Sequence, residues 1–220
     1  MPTLQIEDDF DHAISAAYYT DAFFEAGAND PEGVASPVFQ VQPKSLLIHS
    51  EGSNTGPREN ITGTPTLGFA AFPFRWATGA SGADVVMHSF GTVEGTQLRL
   101  AVTNAGVTYA FVSGFGTQTG PTIPADTWSW IEAIPDVSGT TWSLHWRVDD
   151  STQTTATGAV GSATTISYSQ LVSLSGNGTM DWYAGWWGLG EAASTSDWLG
   201  SDYLPSANLS LRVVSSPLRW

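Results

Sequence analysis

Residues 142–149 read Trp-Ser-Leu-His-Trp-Arg-Val-Asp, and the prediction of the fold begins here. Apolar side chains occupy every second position from Trp142 to Val148, and polar side chains lie between them. This period of two is typical of a β-strand with one buried and one solvated face. A second aromatic segment, 128–134, precedes the strand, and the turn formers of 135–139 separate the two. We therefore predict a β-hairpin that buries its tryptophans in the core.

The rest of the chain also favours strands over helices. It contains ten Trp, ten Phe and 23 Gly among 220 residues. Short alternating segments recur about every ten residues with turn signals between them, as in a β-sandwich. The turn formers of 103–106 join two of these segments as a second predicted hairpin. We predict an all-β, antiparallel sandwich that forms a single domain over residues 1–220. Its first strand covers 4–10 and its last strand 208–214, while residues 12–40 form an arm or insertion outside the sandwich pattern.

The charge of the chain excludes several classes of partner. The net charge is −14, and residues 1–43 hold eight acidic side chains and no Lys or Arg. Such a surface repels nucleic acid and anionic membrane, so we expect neither as a partner. There is no cysteine, which excludes disulfides, thiolate metal sites and a cysteine nucleophile. The acidic residues of 7–11 interrupt any apolar run near Met1, so we expect no signal peptide and synthesis in the host cytoplasm.

Six short motifs follow one another along the chain: 8–11, 98–107, 127–128, 144–150, 183–185 and 209–213. Their order and spacing resemble the concanavalin A-like superfamily of lectins and glucanases, in particular its laminin G-like jelly rolls. Asp150 stands where that family usually has glycine. The resemblance implies a jelly roll in which the first and last strands pair. It also implies binding or adhesion to sugars or proteins, in some members through calcium. Members without a signal peptide are frequent among the virion proteins of tailed phages.

From this resemblance we expect a non-enzymatic structural or accessory protein of a tailed-phage virion, either a capsid decoration protein or a minor tail component. Its partners would be other virion proteins, and it would be present in many copies or as a homo-oligomer. One alternative is a lectin-like module that recognises host glycans. A second alternative is a divergent glucanase. A preference for particular sugars would separate the lectin from a purely structural protein.

The expectation that the protein is not an enzyme depends on its carboxylates. Glycoside hydrolysis needs two carboxyl groups roughly 5–9.5 Å apart. The Glu-x-Asp-x-x-Glu strand motif of the superfamily's glucanases is absent from this chain. Glu132 and Asp136 lie four residues apart, but Pro135 and the predicted turn separate them. We therefore expect that these two side chains do not share a face.

The candidate binding surface lies in the aromatic segment 181–188. If this segment is one strand, Trp182 and Trp186 share one face, and Tyr183 and Trp187 share the other. One pair must then belong to the core, and the other pair is available to stack on a glycan or to contact a partner. The alternative is that both faces are packed by the protein itself.

Four aspartates form a candidate calcium site: Asp149, Asp150, Asp181 and Asp202. Calcium requires six to eight oxygen ligands, which these residues could supply if their loops meet at one rim of the sandwich. Adjacent carboxylates in loops are more often simply solvated. We expect no other cofactor.

The arm supplies the candidate partner contacts. Tyr18, Tyr19, Phe23 and Phe24 form two aromatic pairs in a segment too apolar to remain in water, and the C-terminal Trp220 is a further aromatic anchor. We expect these five side chains to be buried against another chain. The alternative is that the arm folds back over its own sandwich.

Overall fold

The computed structural model describes residues 1–8, 10, 21–23, 32–37, 39, 44–50, 56–78, 84–112, 117–175, 180–203 and 212–213. Within these ranges the protein is all-β, with two antiparallel sheets and no helix, as predicted. It follows that no helix of the described part is long and apolar enough to cross a membrane.

Sheet A is built around the predicted hairpin. Its main path runs β13-β12-β11-β6-β15-β4-β3, and β16, β1 and β17 extend it beside β6. Its strands are β1 (Thr3–Asp8), β3 (Glu32–Val34), β4 (Ser45–Ser50), β6 (Gly68–Trp76), β11 (Ser129–Asp136), β12 (Thr141–Val148), β13 (Thr154–Ala159), β15 (Met180–Ala184), β16 (Trp187–Glu191) and β17 (Arg212–Val213).

Sheet B packs against one face of sheet A, and its order is β10-β9-β8-β7-β14-β5-β2. Its strands are β2 (Asp21–Phe23), β5 (Gly56–Asn60), β7 (Val85–Thr92), β8 (Gln97–Val102), β9 (Val107–Val112), β10 (Thr117–Thr122) and β14 (Ile166–Ser175). The predicted hairpin of β8 and β9 is confirmed, with Leu98 opposite Val112 and Val102 opposite Thr108.

The hairpin of β11 and β12 forms the centre of the core. Ile131 lies opposite Val148, and the pairing continues to Asp136 opposite Ser143. Trp142 and Trp146 are 1% and 0% exposed, so their predicted place in the core is confirmed. Apolar side chains of both sheets join them in one cluster, which defines the inner face of each sheet. The opposite side of sheet A is called its outer face.

Pro135 does not end β11, and this corrects the prediction about the two acidic side chains. The strand continues to Asp136. Because β6 pairs only with Ser129–Ala133, the missing N–H of Pro135 lies beyond that ladder. Glu132 and Asp136 are therefore an even number of residues apart on one uninterrupted strand, and both lie on the outer face.

A bend at Gly185 and Trp186 separates β15 from β16, although both strands pair with β6. The bend reverses the alternation, so Trp182 and Trp187 lie in the core, while Trp186 joins a separate cluster on the outer face. The indole of Trp186 lies flat on Gly188, where an added Cβ would stand 2.1 Å from the ring. The predicted assignment of these side chains to faces is wrong, because it assumed one unbroken strand.

Strands β1 and β17 and two short strands of the arm belong to the chain's own sheets. Ile6 pairs with Val213, which confirms that the first and last strands are neighbours. Within the arm, β2 pairs with β5, and β3 pairs with β4. These two strands favour the alternative in which the arm folds back on its own sandwich. The predicted contacts Tyr18, Tyr19, Phe24 and Trp220, and the side chain of Phe23, lie outside the described residues.

Candidate functional site on the outer face of sheet A

A row of polar side chains crosses three neighbouring strands on the outer face of sheet A. It consists of His49 on β4, Asp181 and Tyr183 on β15, Arg75 on β6, and Asp126 in the loop before β11. The strand register places His49 opposite Asp181 and Tyr183 opposite Arg75. These five side chains are called the outer polar row.

Two short contacts organise the row. His49 Nδ1 lies 2.9 Å from Asp181 Oδ1, and Arg75 Nη2 donates to Asp126 Oδ1 at 2.9 Å. Because a carboxylate only accepts, Nδ1 of His49 carries the hydrogen, and the lone pair is on Nε2. Arg75 is 18% exposed, whereas Asp126 is 42% and Asp181 is 51% exposed. The carboxylates of the row are therefore more accessible to solvent than its guanidinium.

Tyr183 lies at the centre of the row. The guanidinium of Arg75 stands 5.6 Å from its ring centroid. Burial raises the pKa of the Tyr183 phenol above its ordinary value, Asp181 raises it further, Arg75 lowers it, and Asp126 raises it. The phenol therefore stays protonated near neutral pH, as a hydroxyl that can both donate and accept.

Two half-buried aromatic rings border the row. Phe39 packs edge-on against Trp128, with their centroids 5.6 Å apart. Phe39 also covers Gly185, where an added Cβ would meet it at 2.2 Å, and Gly185 follows Tyr183 by two residues on the chain. Apolar rings and polar side chains thus share this face of the sheet, a combination that is typical of small-molecule sites.

A segment following β16, residues 192–203, lies over the middle of the outer face and is called the strap. Glu132 is fully buried beneath it and accepts hydrogen bonds from the backbone N–H groups of Leu199 at 2.7 Å and Gly200 at 3.2 Å. The same carboxylate pairs with Arg147 at 2.6 Å. Arg147 also contacts Asp150 at 2.9 Å. A buried ion pair therefore holds the strap against the sheet.

Aromatic rings fill the space beneath the strap. Trp130 stacks on Trp186 with centroids 5.5 Å apart, and Trp186 contacts Tyr203 of the strap at the same distance. The Tyr203 hydroxyl donates to Glu7 at 2.6 Å. The strap therefore buries these rings within the protein.

Of the four predicted binding aromatics, Trp182, Trp186 and Trp187 are fully buried, and only Tyr183 reaches the surface. Neither of the two candidate pairs, Trp182 with Trp186 or Tyr183 with Trp187, is therefore exposed as a binding surface. The bend at Gly185 is one reason, because it turns Trp187 into the core. The strap is the other, because it covers Trp186.

The four predicted calcium ligands do not form one site. No group of three or more His, Asp or Glu side chains in the described part of the chain is arranged to hold a metal ion. Asp149 instead accepts the backbone N–H of Trp130 at 2.7 Å, and Asp150 accepts hydrogen bonds from Ser201. Asp181 pairs with His49, and Asp202 is exposed in the strap.

A second histidine on the outer face has a structural role. His145 Nε2 lies 2.7 Å from Ser143 Oγ, which resembles a base beside a nucleophile. However, the amide of Gln153 donates to Nδ1 of His145 at 2.8 Å. The hydrogen of the neutral ring is therefore on Nε2 and is donated to Ser143. Burial lowers the pKa of His145, which favours this neutral form.

Comparisons with known proteins identify the class of fold. No family model matches the chain, and no curated protein matches it either. Among solved structures, "Cellulose induced protein, Cip1" has a TM-score of 0.59 at 15% identity, covering 86% of this chain and 97% of its own. Trypanosoma rangeli sialidase in complex with sialic acid has a TM-score of 0.58 at 10% identity, and the match covers 89% of this chain and 32% of the sialidase. The GH43 protein BlXynB from Bacillus licheniformis has a TM-score of 0.54 at 10% identity, and the match covers 84% of this chain and 39% of BlXynB.

These likenesses establish a β-sandwich of the kind found in glycosidase-like and lectin-like proteins. The chain spans nearly all of Cip1 but well under half of the sialidase and of the GH43 protein. At such low identity the likeness concerns the fold alone. It contains no link to phage proteins.

The comparisons correct the expectation of a non-enzymatic protein. That expectation took binding and adhesion as the usual role of the fold, but the similar structures are mostly enzymes, including sialidases and an alginate lyase from Klebsiella pneumoniae. The alginate lyase has a TM-score of 0.50 at 8% identity, covering 77% of this chain and 86% of its own. The expectation that Glu132 and Asp136 lie on different faces is also wrong, so it no longer argues against an enzyme.

Sequence reasoning missed most of the outer polar row. It treated His49 as isolated and did not consider Arg75, Asp126, Phe39 or Trp128 as site residues. The local signal for His49 was present, since it follows the buried Leu46 and Ile48 with the spacing of an outward-facing side chain. Its partner Asp181 is 132 residues away in the chain, so only the pairing of β4 with β15 unites them.

Proposed function

We propose that the protein binds carbohydrate on the outer face of sheet A. The observation that carries this proposal is that the outer polar row and the half-buried rings of Phe39 and Trp128 occupy the same face of sheet A, where Phe39 covers Gly185. A sugar presents hydroxyl groups around its rim and C–H groups on its ring faces. The carboxylates of Asp126 and Asp181 can accept from the hydroxyls, while the aromatic rings contact the apolar faces.

Two further observations support this proposal. Four of the five residues of the outer polar row lie on strands, so these side chains are held in a fixed arrangement. Sialidases and an alginate lyase, whose names refer to carbohydrate chemistry, share the fold. That likeness is an analogy of fold, and the residues of the row carry the argument.

A second candidate function is acid–base chemistry on the bound saccharide. The observation that favours it is the contact of His49 with Asp181, because the carboxylate orients the imidazole and leaves Nε2 able to accept a proton. Tyr183 on the same face is a protonated hydroxyl that could return a proton. Binding and cleavage would then use one site.

The place of the protein in a tailed-phage virion stays a prediction, as do its neighbours and copy number. Nothing in the fold or in the comparisons tests it. A lectin-like module and an enzyme that acts on host glycans are both compatible with a virion. The carbohydrate proposal therefore does not depend on that location.

The proposal predicts that Tyr183→Ala weakens saccharide binding about tenfold. The substitution removes one hydrogen-bonding hydroxyl and one ring from the centre of the row, and a tenfold loss corresponds to about 1.4 kcal/mol. The measurement is a glycan array followed by titration calorimetry with the best oligosaccharide. The same mixtures are assayed for new reducing ends or unsaturated sugars, with His49→Ala as the variant that should abolish any release.

Tyr109→Ala is the matched control, because Tyr109 is a half-buried tyrosine that packs against Phe111 in the apolar cluster of sheet B. Its affinity should stay within twofold of the unmodified protein. Failure to bind any glycan on the array, or equal affinities for the Tyr183 and Tyr109 variants, would contradict the proposed function.

A further inference from the structure

We infer that the outer polar row selects uncharged saccharides and rejects saccharides that carry carboxylates. The inference rests on the proposed function and goes beyond it, because it names the class of ligand. It also separates this chain from the sialidases and the alginate lyase that share its fold, since their names refer to acidic sugars.

The first step concerns the cations of the outer face. A sugar carboxylate is best recognised by an arginine with two free N–H donors on one side. Arg75 already donates to Asp126 at 2.9 Å. Arg147, whose side chain also lies in the described part of this face, contacts both Glu132 and Asp150. An acidic sugar would therefore have to displace an existing carboxylate from either guanidinium.

The second step concerns the net charge at the row. One guanidinium stands against the two carboxylates Asp126 and Asp181, which leaves one net negative charge while His49 is neutral. Both carboxylates are open to solvent, so an incoming anion meets them directly. The pKa of the Tyr183 phenol is consistent with a net negative charge at the row. Burial raises this pKa most, two acidic neighbours raise it further, and one arginine lowers it.

The third step concerns the field of the whole chain. The net charge of −14 gives the protein a negative potential that slows the approach of polyanions. Uncharged saccharides are unaffected by this potential. Their hydroxyls donate hydrogen bonds, and the open carboxylates of Asp126 and Asp181 can accept these bonds without any change in net charge.

The test compares one saccharide in charged and uncharged forms. Oligogalacturonate and its fully methyl-esterified form differ only in the carboxylate, and xylohexaose and cellohexaose serve as further neutral probes. Affinities are measured by calorimetry at pH 7.5, in about 20 mM and about 500 mM NaCl. We expect the neutral probes to bind at least tenfold more tightly than oligogalacturonate at low salt. This preference should shrink at high salt, because screening weakens the repulsion.

Asp126→Asn is the informative variant, because it releases Arg75 from its ion pair and removes one negative charge. It should raise the affinity for oligogalacturonate about tenfold relative to that for xylohexaose, and the affinity for xylohexaose should itself fall, because an amide accepts from sugar hydroxyls more weakly than the carboxylate does. Equal or tighter binding of the free acid by the unmodified protein would overturn this inference and leave the proposed function standing. Absence of binding to all four probes would overturn both.

Discussion

Replacing Glu132 with alanine should destabilise the protein by about 3–5 kcal/mol, the usual result of removing one partner from a buried ion pair. The carboxylate is fully buried and accepts from the N–H groups of Leu199 and Gly200 as well as from Arg147. Its loss would leave a half-buried guanidinium and two strap N–H groups without this acceptor. Chemical denaturation monitored by tryptophan fluorescence measures the change.

The strap should also become accessible in the Glu132→Ala variant, so limited proteolysis should cleave within residues 192–203 before the sandwich unfolds. Asp136→Ala is the matched control, because Asp136 lies on the same strand and face, and its side-chain hydrogen bonds within the described part of the chain are local, to Ser138. That variant should lose less than about 1 kcal/mol. Equal stabilities of the two variants would show that Glu132 does not hold the strap.

Acidification should destabilise the protein through His88, a fully buried side chain of β7. Its Nε2 lies 2.8 Å from Ser169 Oγ, and its ring stacks on Phe72 with centroids 5.4 Å apart. Among the described residues, Nδ1 has no hydrogen-bond partner. Burial lowers the pKa of His88 from 6.5 to about 3. The folded protein therefore holds a neutral imidazole over most of the acid range.

The sign of the effect follows from proton binding. Between pH 6.5 and pH 3 the unfolded chain protonates His88, and the folded chain does not, so stability falls as the pH falls. The contribution of the neutral His88 to the free energy of unfolding is fully present above pH 6.5. Roughly 3 kcal/mol of this contribution should be lost by pH 4, at about 1.4 kcal/mol per pH unit.

Denaturation of the unmodified protein and of His88→Gln at pH 7 and pH 4 measures this contribution. The variant should lose roughly 3 kcal/mol less on acidification than the unmodified protein. His145→Gln is the control on the outer face, where the half-buried imidazole should contribute a smaller change. If His88→Gln lost as much stability on acidification as the unmodified protein, His88 would not be the acid-sensitive group.

The architecture could be predicted because its signals are local. The alternation from Trp142 to Val148 placed two tryptophans in the core, and turn residues marked the hairpin of β8 and β9. The pairing of first and last strands came from resemblance to known jelly rolls, and the contact of Ile6 with Val213 confirms it. Short-range pattern and family resemblance together were enough to predict an all-β sandwich.

The errors arose at two residues, Pro135 and Gly185, of types that commonly change the geometry of a strand. Pro135 is a common strand breaker, yet β11 continues through it because the ladder with β6 has already ended. Gly185 introduces a bend that no periodicity shows, and this bend moved Trp187 from the predicted surface into the core. Both errors affected the predicted site more than the predicted fold.

The site itself could not be predicted because its contacts are distant in sequence. His49 meets Asp181, and Arg75 meets Asp126, across separations of 132 and 51 residues. Their meeting depends on the order of β4, β15 and β6 in sheet A, which a single sequence does not encode in any local pattern. Only Tyr183 and Asp181 were singled out in advance, and for other reasons.

Hydroxyl-radical footprinting with and without xylohexaose or cellohexaose tests most directly that the outer face of sheet A is the carbohydrate-binding face. Oxidation of the half-buried Tyr183, Phe39 and Trp128, measured by mass spectrometry, should fall at least threefold when the saccharide is bound. Oxidation of Tyr109 and Phe111 on sheet B should not change. Protection of Tyr109 and Phe111 without protection of Tyr183 would contradict the account and place the ligand on the opposite sheet.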